Sequence, residues 1–449
     1  MKKIILLFSG LWLCLSLAKA QDYQQRANRV DSLFKVYAAK NMFCGSVLIA
    51  KDGNVLLSKG YGMANYSYDV PNSGQTKFKL ASVSKQFTAM CIMILEEQGK
   101  LATDDKLSKY IPDYPKGDQI TIHHLLTHTS GIPNFTGLPV YDSIRTTRQT
   151  LEKEIALFKN KPLEFEPGSK FKYSNSGYLL LSYIIEKASG KTYPQFVSSA
   201  IFAPLGMKNS GAFEGNKLIK NLAVGYSETE DGGVEEAPFI DMSIPSGAGA
   251  LYSTVEDLLI WDQALNTEKL VKKATLDKIF TADKDRYAYG WFIDKYKDHN
   301  WIFHTGGIEG FSTVLNRFPD DKLTIIILKN VDNQNVFNAN RNARFAMFGD
   351  PPELPVERKA VKVDEKVLKS LCGEYELMPG FVMTFTTESG RLYVQATGQD
   401  KGEIYAESDY NYFFKIVNAQ FKFTKNKKGE IESVTLYQNG KELPGKKIK

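Results

Sequence analysis

The chain has 449 residues, 43% of them hydrophobic and 24% charged, with a formal net charge of +6. That length predicts two folded units, and the ordinary composition excludes a disordered or membrane-embedded body. The positive charge is diffuse. Lys425, Lys427 and Lys428 read as a solvated turn, so nucleic-acid binding is not supported.

The N-terminus is a separate object. Met1-Lys2-Lys3 is a basic start, Ile4 to Leu17 is an apolar run, and Ala18-Lys19-Ala20 has the small-x-small form of a cleavage site. These features predict a secretory signal over residues 1–20 and a periplasmic or extracellular mature chain. The run is short for a bilayer span. Leu13 before Cys14 is too bulky for a lipoprotein site, so no lipid anchor is expected. Cleavage takes Lys2, Lys3 and Lys19 and leaves a charge of +3. Cys44, Cys91 and Cys372 remain, odd in number and widely spaced. Cys44 and Cys91 sit in apolar runs and read as buried thiols rather than a disulfide framework.

Val30, Leu33, Phe34 and Tyr37 then mark one face of an amphipathic helix. Ser46 to Ala50 and Val55 to Ser58 are strand-like and flank an Asp52-Gly53 hairpin turn. From Lys79 to about Leu270 the pattern is helical and loop-rich. Strand signals return at Ala288 to Asp294, Trp301 to His304, Ser312 to Arg317 and Leu323 to Leu328. Strands from both ends form one sheet with a helical block inserted between them, an α+β arrangement. Residues 351–365, opening Pro351-Pro352-Glu353-Leu354-Pro355, read as a linker closing a domain over 21–350. Beyond it come alternating runs at Val382 to Thr387, Arg391 to Gln395, Tyr412 to Ile416, Gln420 to Thr424 and Ile431 to Tyr437. Turns at Ser389-Gly390, Lys428-Gly429 and Asn439-Gly440 separate them, predicting a small antiparallel β barrel or sandwich over 366–449.

The chemistry starts from what is missing. There is no Gly-x-Ser-x-Gly elbow, no Walker loop and no His-Glu-x-x-His. His123, His124 and His128 have metal-like spacing, but no carboxylate or cysteine accompanies them, so neither a metal nor another cofactor is expected. Ser-x-x-Lys occurs four times, from Ser16, Ser32, Ser82 and Ser169. Only Ser82 opens a long apolar helix, with Phe87, Met90, Cys91 and Ile94 at helical spacing and Gly99 at its end. A serine there feels the positive end of the helix dipole, and its own N–H can supply half of an oxyanion hole. Lys85 lies one turn on, and a lysine in an apolar sheath loses its proton easily. An N-cap serine beside a surface lysine gives the same string. Tyr173-Ser174-Asn175 precedes a second apolar helix, and His304-Thr305-Gly306-Gly307 ends a strand whose glycines permit close ligand approach.

Phe78 to Lys85, Tyr173-Ser174-Asn175 and His304-Thr305-Gly306-Gly307 together resemble the three ordered motifs of the serine β-lactamase and penicillin-binding family. The likeness is to the branch with class C β-lactamases, D,D-peptidases, D-aminopeptidases and esterases. His124-Leu125-Leu126-Thr127-His128-Thr129-Ser130-Gly131, Pro204-Leu205-Gly206-Met207 and Gly249-Ala250-Leu251-Tyr252-Ser253-Thr254 extend it from about Phe43 to Met347. The resemblance implies an antiparallel sheet flanked by helices, an all-helical subdomain and a site in the cleft between them. It implies Ser82 as nucleophile, Lys85 and Tyr173 as its proton-handling partners, and Asn175 as the holder of a substrate amide. It places an oxyanion hole on the N–H groups of Ser82 and Gly307, with His304, Thr305 and Gly306 along the pocket edge. Class C enzymes carry Lys where this chain has His304, and neutral imidazole anchors an anion less well. The expected substrate is therefore a D-amino-acid peptide, amide or ester, with peptidoglycan-derived fragments as candidates. The alternatives are a penicillin-binding receptor that acylates without turnover, or a β-lactamase. Residues 366–449, with Gly373-Glu374-Tyr375 and Leu436 to Gly440, resemble the lipocalin-like β domains appended to this family.

Overall fold

The computed structural model describes residues 2–215, 217–229, 233–332, 336–353, 358, 360–399, 401–414, 419–438 and 441–449, with backbone alone for 2–20. The predicted turn at Asn439-Gly440, part of the linker and the end of the Tyr412 to Ile416 run lie outside these residues. The chain divides into two compact units, 1–332 with 343–352, and 333–342 with 353–449.

The first unit is built on a six-stranded sheet. Helix α1 (Lys2–Ala39) leads into β1 (Gly45–Lys51) and β2 (Asn54–Tyr61). As the periodicity predicts, α1 buries Val30, Leu33, Phe34 and Tyr37, with the Phe34 ring edge-on to Phe43 at 4.7 Å. Tyr61 on β2 donates to Asp31 of α1 at 2.8 Å, tying helix to sheet. The central apolar helix follows as α2 (Lys85–Glu97), and α3 (Asn175–Ser189) packs against it. The other sheet strands come late in the chain: β3 (Phe292–Tyr296), β4 (His299–Ile308), β5 (Phe311–Phe318) and β6 (Leu323–Lys329). The order is β3-β4-β5-β6-β1-β2, every pair antiparallel. Both ends of the unit thus meet in one sheet, with β6 buried along its whole length.

Two departures from the sequence reading matter for the site. The strand expected from Ala288 starts only at Phe292, because Gly290 turns the chain at φ +79° where an added Cβ would lie 2.7 Å from Lys85 O. Strand β3 therefore pairs with β4 only up to Phe292↔Phe303, leaving residues 304–308 without a neighbour in the ladder on that side.

The second unit is a closed eight-stranded antiparallel barrel: β7 (Gly373–Met378), β8 (Phe381–Glu388), β9 (Arg391–Ala396), β10 (Gly402–Ser408), β11 (Asn411–Phe413), β12 (Ala419–Lys425), β13 (Ile431–Gln438) and β14 (Lys441–Lys447). Pairing of Tyr375 with Lys447 closes it. The sequence runs showed five of these strands. Strands β7, β10 and β14 carry Glu, Lys and Gly between their inward residues, which blurs the alternation.

Candidate active site

Ser82 lies in a tight 3₁₀ turn, Ala81–Ser84, that feeds directly into α2. The sequence reading placed it at the start of the α-helix. The observed turn is tighter, and the N–H of Lys85 donates to Ser82 O. Ala81 is buried at φ +48°, a left-handed conformation that costs a residue with a Cβ roughly 1–3 kcal/mol. The surroundings hold it there: Leu80 N–H donates to Leu251 O, and Thr313 Oγ1 donates to Leu80 O at 2.8 Å. This strained step directs the Ser82 hydroxyl into a cleft of ≈ 320 Å³.

Lys85 is fully buried, and its Nζ has three oxygen neighbours: Ser82 Oγ at 3.0 Å, Asn175 Oδ1 at 2.8 Å and Ala248 O at 2.9 Å. No carboxylate pairs with it, and burial pushes its pKa well below the ordinary lysine value. A neutral amine fits these partners. Its two N–H groups serve Asn175 Oδ1 and Ala248 O, and its lone pair faces the Ser82 hydroxyl.

Asn175 is the first residue of α3, fixed by its N–H donating to Asn134 Oδ1 at 3.0 Å. With Oδ1 taken by Lys85, the amide's Nδ2 is the donor left for the cleft, which Asn175 lines. The Tyr173 hydroxyl hydrogen-bonds the Ser82 side chain, and burial raises the phenol pKa while that bond pulls it back. Serine, lysine, tyrosine and asparagine thus converge from α2, the 3₁₀ turn and the α3 entry.

Behind Tyr173 stands a layer the sequence did not reveal. The His128 ring lies 4.2 Å from the Tyr173 ring and 4.6 Å from Tyr287. Its Nδ1 accepts from Ser174 N–H at 3.2 Å, and its buried Nε2 has no hydrogen-bond partner among the described residues. The three histidines weighed as metal ligands are separately engaged: His123 Nδ1 meets Tyr289 Oη at 2.8 Å, and His124 caps its own helix through Thr121.

His304 and Thr305 take different positions on β4. His304 is 1% exposed and stands behind the cleft wall. Its Nδ1–H donates to Thr305 O at 2.6 Å, so its Nε2 accepts from Tyr287 O–H at 3.0 Å. Burial, then the neighbouring Lys85, drives its pKa to about 3, and it is neutral. His304 is not among the cleft-lining residues, because the Tyr287 contact holds its imidazole inward, and strand alternation turns the partly exposed Thr305 to the opposite face. Gly306 does contact the nucleophile's backbone: an added Cβ would lie 2.4 Å from Leu80 O and 3.0 Å from Ser82 N. Gly307 lines the cleft and is open, with nothing within 4 Å of such a Cβ.

The cleft continues past Gly307 to Ile308 and Glu309, opposite Phe135, Tyr141 and Ile240. Sequence reasoning missed this end. Its residues follow the glycine pair by one or two positions, and that adjacency was the available signal.

The comparisons agree with this architecture. The model of the Beta-lactamase family matches residues 30–347, and a domain of unknown function, DUF3471, matches residues 357–447. Penicillin-binding protein 4* of Bacillus subtilis is 31% identical over 445 residues, covering 93% of this chain and 98% of that protein. An octameric penicillin-binding protein homologue from Pyrococcus abyssi superposes with a TM-score of 0.65 at 26% identity, over 94% of this chain and 100% of that one. The D-amino acid amidase of Ochrobactrum anthropi SV3 shares the fold, with a TM-score of 0.64 at 24% identity over 72% of this chain and 98% of that one. A serine set beside a strained Ala81, a buried lysine bonded to that serine and a family match over most of the chain lead to one conclusion: this chain belongs to the beta-lactamase family of serine hydrolases.

Proposed function

We propose that the chain is a periplasmic or extracellular hydrolase that forms an acyl-enzyme on Ser82 with a D-amino-acid peptide, amide or ester. The observation that carries this reading is Lys85, buried without a counter-ion, with one oxygen neighbour that can give it a proton and two acceptors for its own N–H groups. Lys85 takes the hydroxyl proton as Ser82 Oγ attacks the substrate carbonyl carbon. The oxyanion gathers between the N–H groups of Ser82 and Gly307. The Tyr173 hydroxyl gives its proton to the leaving nitrogen or oxygen and recovers the proton that Lys85 took from Ser82. Water then attacks the ester carbon, its proton passes to the same groups, and Ser82 is released. Asn175 Nδ2 holds a carbonyl of the acyl half.

The neutral, inward-facing His304 argues against efficient β-lactam turnover, because it brings no ammonium to the lactam's carboxylate. A fluorophosphonate probe should label Ser82 in the wild type and fail on S82A. Labelling that survives in S82A rejects Ser82. Secretion is tested separately: the mature chain should begin near Gln21.

A further inference from the structure

Among the described residues lining the cleft, Glu309 is the one with a charge. It follows the β4 edge at the far end from the proton-handling groups. The Tyr173 ring lies 6.3 Å from the His304 ring, which puts the leaving-group side at the His304 end of β4. Glu309 is five residues further on, roughly 16 Å along an extended strand. The cleft between Gly307 and Glu309 therefore receives the acyl half.

Arg145, from the opposite helical wall, donates from Nη1 to Glu309 Oε1 at 2.7 Å, and its Nε lies 3.5 Å from Asp142. The pair spans the two walls and closes this end of the cleft. It occupies one oxygen of the carboxylate. Oε2 has no hydrogen-bond partner among the described residues, and the side chain is 19% exposed. The other groups that feel Glu309 are Lys79 and Tyr141. Lys79 is held over the Phe311 ring at 5.4 Å and is not part of the cleft lining. Tyr141 lines the cleft, and its pKa is raised to about 12, by burial first and then by Glu309. Asp142 stands on the same wall and adds negative potential, while Glu154 is held neutral by burial. A substrate carboxylate at this end would face Glu309. A cation would meet an open carboxylate oxygen in a partly desolvated cleft, where such a contact is worth more than in water.

We propose that Glu309 is the acceptor for an ammonium on the acyl half of the substrate, and that the Arg145–Glu309 bridge restricts that half to a short group with a free amine. This rests on the acyl-enzyme reading above and adds a substrate requirement to it. A site that pairs a buried charge rejects an analogue lacking the counter-charge far more strongly than an apolar pocket rejects a change of size.

The test uses the purified full chain with D-alanine p-nitroanilide and N-acetyl-D-alanine p-nitroanilide, in the wild type and in E309Q. Fluorophosphonate labelling of Ser82 is followed in parallel. The wild type should prefer the free amine by at least about tenfold in kcat/KM, on the scale of a satisfied polar contact. E309Q should remove that preference by raising KM for the free-amine compound far more than for the N-acetyl compound. In the wild type the preference should fade above about pH 8, where an α-amino group loses its proton. Equal or faster cleavage of the N-acetyl compound overturns the proposal, as does an E309Q that slows both compounds alike. No cleavage of either compound while Ser82 is still labelled also overturns it. A wild type that is never labelled on Ser82 instead removes the acyl-enzyme reading on which the proposal stands.

Discussion

Around Ser82 the first unit buries Lys85, His128 and His304, together with the phenols of Tyr178 and Tyr287. The inside of the barrel is Tyr375, Phe385, Phe421 and Phe423 packed edge to face with ring centroids 5.0–5.8 Å apart, with Leu392, Val394, Val434 and Leu436 around them. Among the described residues from 366 onward, the polar atoms of buried side chains are tyrosine hydroxyls. One of these donates to Leu371 O at 2.9 Å. Burying apolar surface stabilises at about 25 cal/mol per Å², whereas burying an amine or an imidazole costs energy unless the group is neutral or partnered. The barrel has the interior of a unit selected for stability. The first unit carries costly groups around the cleft and at a few other points, Glu154 and Lys329 among them.

The contrast can be broken in four ways. K85A should slow acylation of Ser82 by roughly 10²–10⁴-fold, the usual range for losing a positioned base. It should leave the thermal unfolding midpoint unchanged or raised, since a costly buried amine is removed. Stopped-flow acylation and calorimetry read the two effects, and a K85A protein with normal acylation would separate the buried lysine from the chemistry. F423A should do the opposite, costing about 3–5 kcal/mol in the barrel's unfolding free energy while Ser82 labelling at 25 °C is retained. Loss of labelling in a folded F423A protein would give the barrel a part in catalysis.

The two glycines of the third motif should separate cleanly. G306A drives a methyl into the backbone beneath Ser82 and should destabilise by about 1–3 kcal/mol, with loss of labelling. G307A meets open space and should leave the unfolding midpoint within a degree or two of wild type. A pH-dependent effect is expected at Glu154, buried with both carboxylate oxygens unpartnered among the described residues and its pKa raised to about 9, chiefly by burial. A carboxyl whose folded pKa is raised carries no penalty below its unfolded value near 4.5, and loses stability as pH climbs from there towards 9. The slope is at most about 1.4 kcal/mol per pH unit. Wild-type stability should therefore decline between pH 5 and pH 8, and E154Q should flatten that decline. Parallel denaturation curves for the two proteins would show that Glu154 is ionised or solvated.

Much of this was legible in the chain itself. The period of Val30, Leu33, Phe34 and Tyr37 gave the first helix, and short β-branched, apolar runs gave most of β1, β2, β5 and β6. Ser82, Lys85, Tyr173 and Asn175 stood out because reactive residues preceded apolar helices. These are local patterns, fixed by side-chain spacing and backbone preference within one element. The barrel's closure and three of its strands were not legible, since closure depends on pairing residues as distant as Tyr375 and Lys447.

What the sequence determined alone was the cast of reactive groups and their order along the chain. Tertiary structure decided which way they face. His304 reads as a pocket residue from its motif, yet Tyr287 draws its imidazole behind the wall. Glu309 belongs to none of the motifs, yet Arg145, 164 positions away, bonds it across the cleft. Orientation and protonation follow from what surrounds a side chain in space, and packing, desolvation and charge partners are assembled only when remote segments meet.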